Sequence, residues 1–350
     1  MVVDYIIVGQ GIAGTVMAHT LMKEQQRVVV IHNSRLPSSS KVAGGLFNPI
    51  TGRKMVKTWK ADLLFSYFFD FYRELEDTLD AKFFHPTSIY RPFQSIEEQN
   101  EWMGKSASDE FSQYVKKCHT DAAFIDFIED KFGGLELNRC GFVDIPKMLE
   151  AYKNHLTETG SYIEENFEED RLEFDGNGVK YGEIQAKKVI YCNGGFVKNS
   201  KYFSWLPFRL VKGETLLIET EKVLPMIFNR GVFILPKGNN TVIVGATYDW
   251  KDTSWEVTDK AKNDLVERLK KIFKVEYKIM GQSAGIRPAT LDRRPFIGVH
   301  PENSRVAVFS GLGTKGVSIA PYFAKEFVKH LENNTVLDNE VNISRYFSLY

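Results

Sequence analysis

The segment YIIVGQGIAG at residues 5–14 restricts what this chain can fold into more than any other stretch. An apolar run ends at Gly9, Gly11 and Gly14 follow, and residues 12–25 (IAGTVMAHTLMKEQ) read as a helix with small residues on its early turns. A second apolar run, RVVVIH at 27–32, supplies the next strand, so 4–32 reads as a β-α-β unit. The spacing is that of a dinucleotide cradle. Gly9 makes the tight turn, Gly11 lets backbone approach a pyrophosphate, Gly14 allows close helix–strand packing, and the amides that open the helix, Ile12 and Ala13 among them, face phosphate oxygens.

One element of that pattern is missing. The second strand of such a unit ends in Asp or Glu, which accepts hydrogen bonds from the adenosine ribose, whereas VVVIHNS offers His32 and Asn33. The Asn33 amide oxygen can accept without the charge assistance of a carboxylate. Affinity is then expected to rest on other contacts, with His32 either a plain strand-end residue or a contact to adenosine.

Composition narrows the rest. At 350 residues with 43% apolar content, the chain has room for about two domains with substantial cores. Its 45 basic and 45 acidic residues cancel, so no overall field draws it to nucleic acid or an anionic membrane. Cys118, Cys140 and Cys192 lie far apart, without CxxC spacing or a partnered His, which fits reduced thiols better than disulfides or a metal site. The N-terminus lacks the basic start and continuous apolar core of a signal peptide. No stretch reaches the ~18 apolar residues of a membrane span, so a cytoplasmic protein without membrane partners is expected.

Further along, residues 34–58 show too little periodicity for regular structure and read as a long loop wrapped over a ligand or disordered. Residues 60–79 and 97–117 read as helices, and Asp144 and Pro146 open another that Gly160 ends. VKYGEIQAKKVIYCNGG offers two short strands, the second at 188–192. More strands are expected within 208–219 and 231–247, the latter turned at Gly238-Asn239-Asn240, then an amphipathic helix at 258–273. The chain closes with a strand (305–309), a glycine loop (310–316) and a helix (317–332).

Three distant segments carry a resemblance: VAGGLFNP (42–49), FILPKGNNTVIVGAT (233–247) and AGIRPATLDRRPFIGVHPENSRVAVFSGLGTKGVSIAP (284–321). Their order and spacing, with the N-terminal glycines and CGFVDIPKMLEAY, resemble the FAD-dependent D-amino-acid oxidase superfamily over nearly the whole chain. Within it the sequence is similar to glycine oxidases and to the flavin domain of bifunctional enzymes that mature wobble uridine in tRNA. The resemblance implies FAD and an α/β (α+β overall) fold, in which a Rossmann-like FAD-binding domain carries an inserted mixed or antiparallel β-sheet substrate domain. The expected division is 1–84, 140–205 and 286–350 for the first and 85–139 and 206–285 for the second. No cysteine falls within 284–316, where sarcosine oxidase-like relatives tether their flavin, so noncovalent FAD is expected.

The same resemblance assigns roles to residues. Gly44, Gly45 and Leu46 would line the flavin, and Cys192, Asn193 and Gly194 of IYCNGG would pass beside it. Gly311, Leu312, Gly313, Thr314, Lys315 and Gly316 would place the amides and positive dipole end of the last helix against the reduced ring. Arg287 would pair bidentately with a substrate carboxylate, and Lys315 would either join that contact or sit beside the flavin. Where glycine oxidases carry a tyrosine hydroxyl for the carboxylate this chain has Phe233, with Trp59, Tyr248 and Trp250 as other sources of bulk or polar contact. The implied reaction is hydride transfer from a small amine or amino acid (glycine, sarcosine or D-amino acid type) to flavin N5, with oxygen or another acceptor reoxidising the flavin. A tRNA wobble-uridine oxidase, a noncatalytic flavin-binding protein and, last, a nicotinamide dehydrogenase are the alternatives. Oligomeric state is not readable.

Overall fold

The structure, a computed structural model, describes residues 1–52, 54–176 and 178–350. Its first sheet has six strands in the order Tyr162–Glu164, Val28–His32, Tyr5–Val8, Lys188–Tyr191, Val306–Ser310 and Phe296–Val299. The first five run parallel and the last is antiparallel to its neighbour. Strands with both faces covered need apolar residues throughout, and VVVI at 28–31 is wholly buried. Alternation sends Tyr5, Ile7, Val28 and Val30 toward one core shared with helices Ile12–Lys23, Ala61–Leu79 and Gly316–Asn333. Ile6, Val8, Val29 and Ile31 face a second core, roofed by the three-stranded sheet Leu172–Asp175, Gly178–Tyr181 and Ile184–Ala186.

The strand order reverses at Tyr5–Val8, whose neighbours on the two sides come next in opposite directions. That reversal opens a crevice at the carboxyl ends of the strands. The fingerprint loop Gly9–Gly11 therefore stands at the switch point.

A second sheet has eight strands, in the order Tyr277–Arg287, Val211–Thr220, Thr241–Gly245, Val232–Gly238, Ile227–Arg230, Ile89–Pro92, Gly134–Leu137 and Val115–His119. All neighbours are antiparallel except Ile227–Arg230 with Ile89–Pro92, the seam where the 89–137 and 211–287 segments meet. Helix Asp259–Lys270, capped by the Thr258 hydroxyl, buries Leu265 and Leu269 in the core of this sheet.

Three sequence expectations need correction. Residues 34–58 hold a short helix (Ser39–Val42), a strand (Leu46–Phe47) and a small hairpin (Ile50–Thr51 with Val56–Lys57). Elements of two to four residues have no readable period; pairing of Leu46–Phe47 with Gly141–Val143 supplies the order instead. The helix expected over 97–117 is Ile96–Lys105, because the Ser106 and Ser108 hydroxyls donate to carbonyls of the last turn and end it; Val115–His119 is a strand. Around residues 178–191 there are three strands rather than two.

Candidate active site

Each glycine of the fingerprint meets a distinct geometric demand. Gly9 has φ +96°, and a Cβ there would lie 2.9 Å from Asn193 Cα. At Gly14 a Cβ would sit 1.8 Å from the Gly9 carbonyl oxygen, so the helix can approach the strand only with hydrogen at that position. At Gly11 the neighbour is the Ser40 hydroxyl at 3.1 Å, and that same oxygen accepts from Ile12 N at 3.1 Å. Ser40 thus reaches the mouth of the first helix, a contact that composition and spacing did not reveal. Its neighbour Ser39 donates to the Ile286 carbonyl, tying this loop to the strand that carries Arg287.

The loop before the last helix closes the same crevice. Gly311 (φ +74°) packs against Thr290 and Phe296, and Gly313 N donates to Pro288 O at 3.1 Å. A Cβ at Gly316 would lie 3.2 Å from Ile12 Cγ2, so the N-termini of the first and last helices converge. Neither helix has a side-chain hydrogen bond from its own N-cap residue, Gly11 or Lys315; Ser40 takes the Ile12 amide of the first, and the positive dipole ends of both face the crevice. Ala13 and Leu312 are buried behind this junction, while Thr314 is exposed. Cys192 is buried against the fingerprint helix, 3.4 Å from a Cβ at Gly14. Asn193 and Gly194 follow it, and Gly194 O accepts from the Ser310 hydroxyl at 3.0 Å.

Gly44 and Gly45 are explained by protein contacts. A Cβ at Gly44 would lie 3.1 Å from Phe233 Cζ, and one at Gly45 (φ +68°) 1.9 Å from Val143 O. Leu46 follows as a half-buried residue of the short strand. Phe233 therefore points its ring tip into the 43–46 loop, and Gly245 flanks it from the other side, where a Cβ would be 2.7 Å from the same Cζ.

At the far end, Asn33 Oδ1 accepts from Arg35 N at 3.0 Å, a local turn bond. Burial lowers the His32 pKa to about 4, leaving a neutral ring at pH 7. The neighbouring strand ends in a carboxylate: Glu164, in register with His32, accepts from Ser34 N at 2.6 Å, Lys153 Nζ at 2.9 Å and the Tyr162 hydroxyl at 2.8 Å. Nothing in the sequence marked Glu164, because its strand is three residues long.

The two cations expected at the site are both largely buried. Arg287 Nη1 donates to Thr247 O at 3.1 Å and Lys212 O at 3.3 Å, and its guanidinium stacks on Tyr248 at 4.4 Å. Burial lowers its pKa, and among the described residues no carboxylate pairs with it. Lys315 Nζ donates to the Thr51 and Thr58 hydroxyls at 3.1 and 3.0 Å. Burial, with the nearby Arg294 charge, brings its pKa down to about 8. Trp59 stacks on Phe323 of the last helix and under Arg294, which holds the hairpin against Lys315. Tyr248 and Trp250 are exposed.

A family model described as DAO, FAD dependent oxidoreductase, matches residues 4–330. The chain belongs to this family. The oxidoreductase is 27% identical to glycine oxidase of Bacillus subtilis (strain 168) over 215 residues, 56% of this chain and 54% of that protein, so the match spans about half the length of that relative. It is 21% identical over 347 residues, 91% of this chain and 54% of the other, to the tRNA 5-methylaminomethyl-2-thiouridine biosynthesis bifunctional protein of Marinobacter nauticus. Its fold matches the crystal structure of glycine oxidase from Bacillus cereus ATCC 14579 with TM-score 0.77, at 21% identity and covering 95% of this chain and 96% of that one. Like other members it is an FAD-dependent oxidoreductase, with a mixed α/β fold. Two features fit the cofactor: the convergent helix N-termini, whose own N-cap residues make no side-chain cap bond, and the buried Asn193 Oδ1 beside the Gly9 turn, which has no partner among the described residues. Among the described residues no cluster suits a metal ion and no helix is long and apolar enough to cross a membrane.

Proposed function

We propose that this oxidoreductase oxidises the C–N bond of a small amine or amino acid bearing a carboxylate. The observation that carries the reading is Arg287: a desolvated guanidinium, held by two backbone carbonyls and an aromatic face, with no acid to neutralise it among the described residues. A planar fork in that state is matched by a carboxylate from outside. FAD, when bound, would supply the two-electron oxidation, taking up the hydride of the substrate α-carbon as the C–N bond becomes C=N; the amine proton would leave to solvent and water would hydrolyse the imine.

The chain's own residues position and hold charge. Arg287 fixes the carboxylate and so the direction of the Cα–H bond, a positional gain that well-aligned sites turn into several kcal/mol or more. The cradle of Gly9, Gly11, Ile12, Ala13 and Gly14, with Asn193, Gly194 and Cys192 alongside, would receive the pyrophosphate side of the cofactor, with His32, Asn33 and Glu164 at the adenosine end. The loop Gly311–Gly316 and Lys315 would face the ring side with positive potential. The crevice between the six- and eight-stranded sheets is then the reaction chamber, and the division at residues 85–139 and 206–285 marks the inserted substrate domain.

The test is an anaerobic absorbance screen of the purified yellow protein against glycine, sarcosine, D-amino acids, proline and related secondary amines. Bleaching by a carboxylate-bearing amine, lost in Arg287→Ala while FAD stays bound, is the expected result. No bleaching by any of them, together with salt-sensitive binding of tRNA, would overturn it. Admitting oxygen to the reduced protein then tells an oxidase from a dehydrogenase.

A further inference from the structure

The edge of the eight-stranded sheet sorts its charges by face. Val211 pairs with Arg287 across the edge ladder, and Arg209 N donates to Ala289 O at 2.7 Å just beyond. On the opposite flank Lys212 and Asp249 exchange both backbone hydrogen bonds at 2.9 Å. Side chains alternate along such a strand, so Lys212 and Glu214 point one way while Arg209, Val211, Gly213 and Arg287 share the other face. The back face is sealed and its cation is paired. Lys212 Nζ bonds Asp252 and Ser254, and the Glu214 carboxylate accepts from Thr258 N and Oγ1 at 2.9 Å and Gln282 Nε2 at 2.6 Å.

The front face is neither sealed nor balanced. Its two guanidinium groups each lie on an aromatic ring from the 247–250 segment, Arg287 on Tyr248 at 4.4 Å and Arg209 on Trp250 at 4.6 Å. Tyr248 is 57% exposed and Trp250 47%; Arg209 is exposed with them, while Arg287 lies deeper, its guanidinium largely desolvated. Among the described residues neither arginine is paired with a carboxylate, whereas Lys212 on the back face is paired with Glu214 and Asp252. Arg209 is a diagonal neighbour of the Arg287 position, a separation of ~7–8 Å between such sites. Stacking on the aromatic rings fixes the guanidinium planes without using a donor; on Arg287 only Nη1 is taken among the described residues, by Thr247 O and Lys212 O.

We propose that Arg209, supported by Trp250, is a second anion subsite at the mouth of the Arg287 pocket, and that the substrate carries a second carboxylate: an acidic amino acid or an N-carboxyalkyl amine. This rests on the reading that Arg287 takes the first carboxylate. The spacing suits a short dicarboxylate lying along the face, its far end held at the rim and its reacting carbon inside.

The test uses the FAD-loaded protein and two readouts. Unreactive glutarate and butyrate, which is glutarate with its second carboxylate replaced by hydrogen, are titrated by their perturbation of the flavin visible spectrum, and iminodiacetate, D-aspartate and D-glutamate are compared with glycine and sarcosine in anaerobic bleaching. Glutarate is expected to bind at least tenfold more tightly than butyrate, and the ratio to fall close to one in Arg209→Gln and to drop severalfold in Trp250→Leu. An Arg209-dependent glutarate preference without bleaching by any amine would uphold the subsite and sink the proposed reaction. Equal glutarate-to-butyrate ratios in the parent protein and Arg209→Gln would overturn the subsite whatever the bleaching shows.

Discussion

Gly213→Ala tests the placement of Arg287 through a residue that itself has no chemistry. A Cβ at 213 would lie 2.0 Å from Arg287 Nη2, 2.2 Å from Cζ and 2.3 Å from Nη1. Non-bonded carbon and nitrogen settle at about 3.5 Å, so the guanidinium must retreat by roughly 1 Å or more. The obstacle is the far end of a flexible side chain, which can move without the backbone following. The fold should therefore survive, with its stability loss confined to the two Nη1 bonds. Position changes: the bonds from Nη1 to Thr247 O and Lys212 O break, and the fork leaves the place where a carboxylate meets it. A hydrogen bond to a charged group is worth ~1.5–3 kcal/mol, which converts to roughly 10- to 100-fold in ligand affinity. The assay is a spectral titration of the FAD-loaded variant with butyrate, alongside thermal unfolding. Gly104→Ala, at a site with no atom within 4 Å of the added carbon, is the control. If Gly213→Ala binds the carboxylate as tightly as the parent, the guanidinium does not lie across Gly213 and the account of the pocket fails.

Other outcomes follow from the same geometry. Phe233→Tyr should not restore a carboxylate contact, because the ring tip is wedged between Gly44 and Gly245; overpacking of ~1–3 kcal/mol is expected in unfolding, and a tighter glycine response with an unchanged melting temperature would contradict this. Lys315 has a folded-state pKa near 8 against an ordinary 10.5, so the unfolded chain binds the extra proton between those values and stability rises with pH across that window. Lys315→Met should remove that rise and, at pH 7, stabilise the FAD-free protein; an unaltered pH–stability curve would refute the buried charge. Gly14→Ala drives a carbon to 1.8 Å from a backbone oxygen that cannot swing away, so loss of both FAD and more than ~1 kcal/mol of stability is expected, read by flavin fluorescence release and denaturant midpoint. Acid precipitation should release all the yellow colour, since Cys192, the cysteine packed against the fingerprint helix, is buried and its thiol is pushed far above its usual range; colour retained in the pellet would show a covalent link.

What could be read in advance follows the range of the forces involved. The fingerprint was legible because its demands are local: a turn at Gly9, a tight packing at Gly14 and a strand on each side lie within thirty residues. Helix Ala61–Leu79 was legible for the same reason, its buried Leu64, Phe65, Phe68, Tyr72 and Leu75 falling on one face. Gly44 was noticed as a glycine, but the atom that needs its empty side is Phe233, nearly two hundred residues away. The hairpin that brings Thr51 and Thr58 to Lys315 is built of two-residue strands, below the length at which alternation can be counted. The edge ladder is the extreme case. Residues 209, 250 and 287 meet only through the register of three strands, and a slip of one residue would turn Arg209 toward the acids of the back face. Buried Lys212 and Glu214 set that register, since the opposite phase would expose their network and bury the unpaired arginines in its place. The same contacts that stabilise the sheet therefore decide which cations remain available to a ligand.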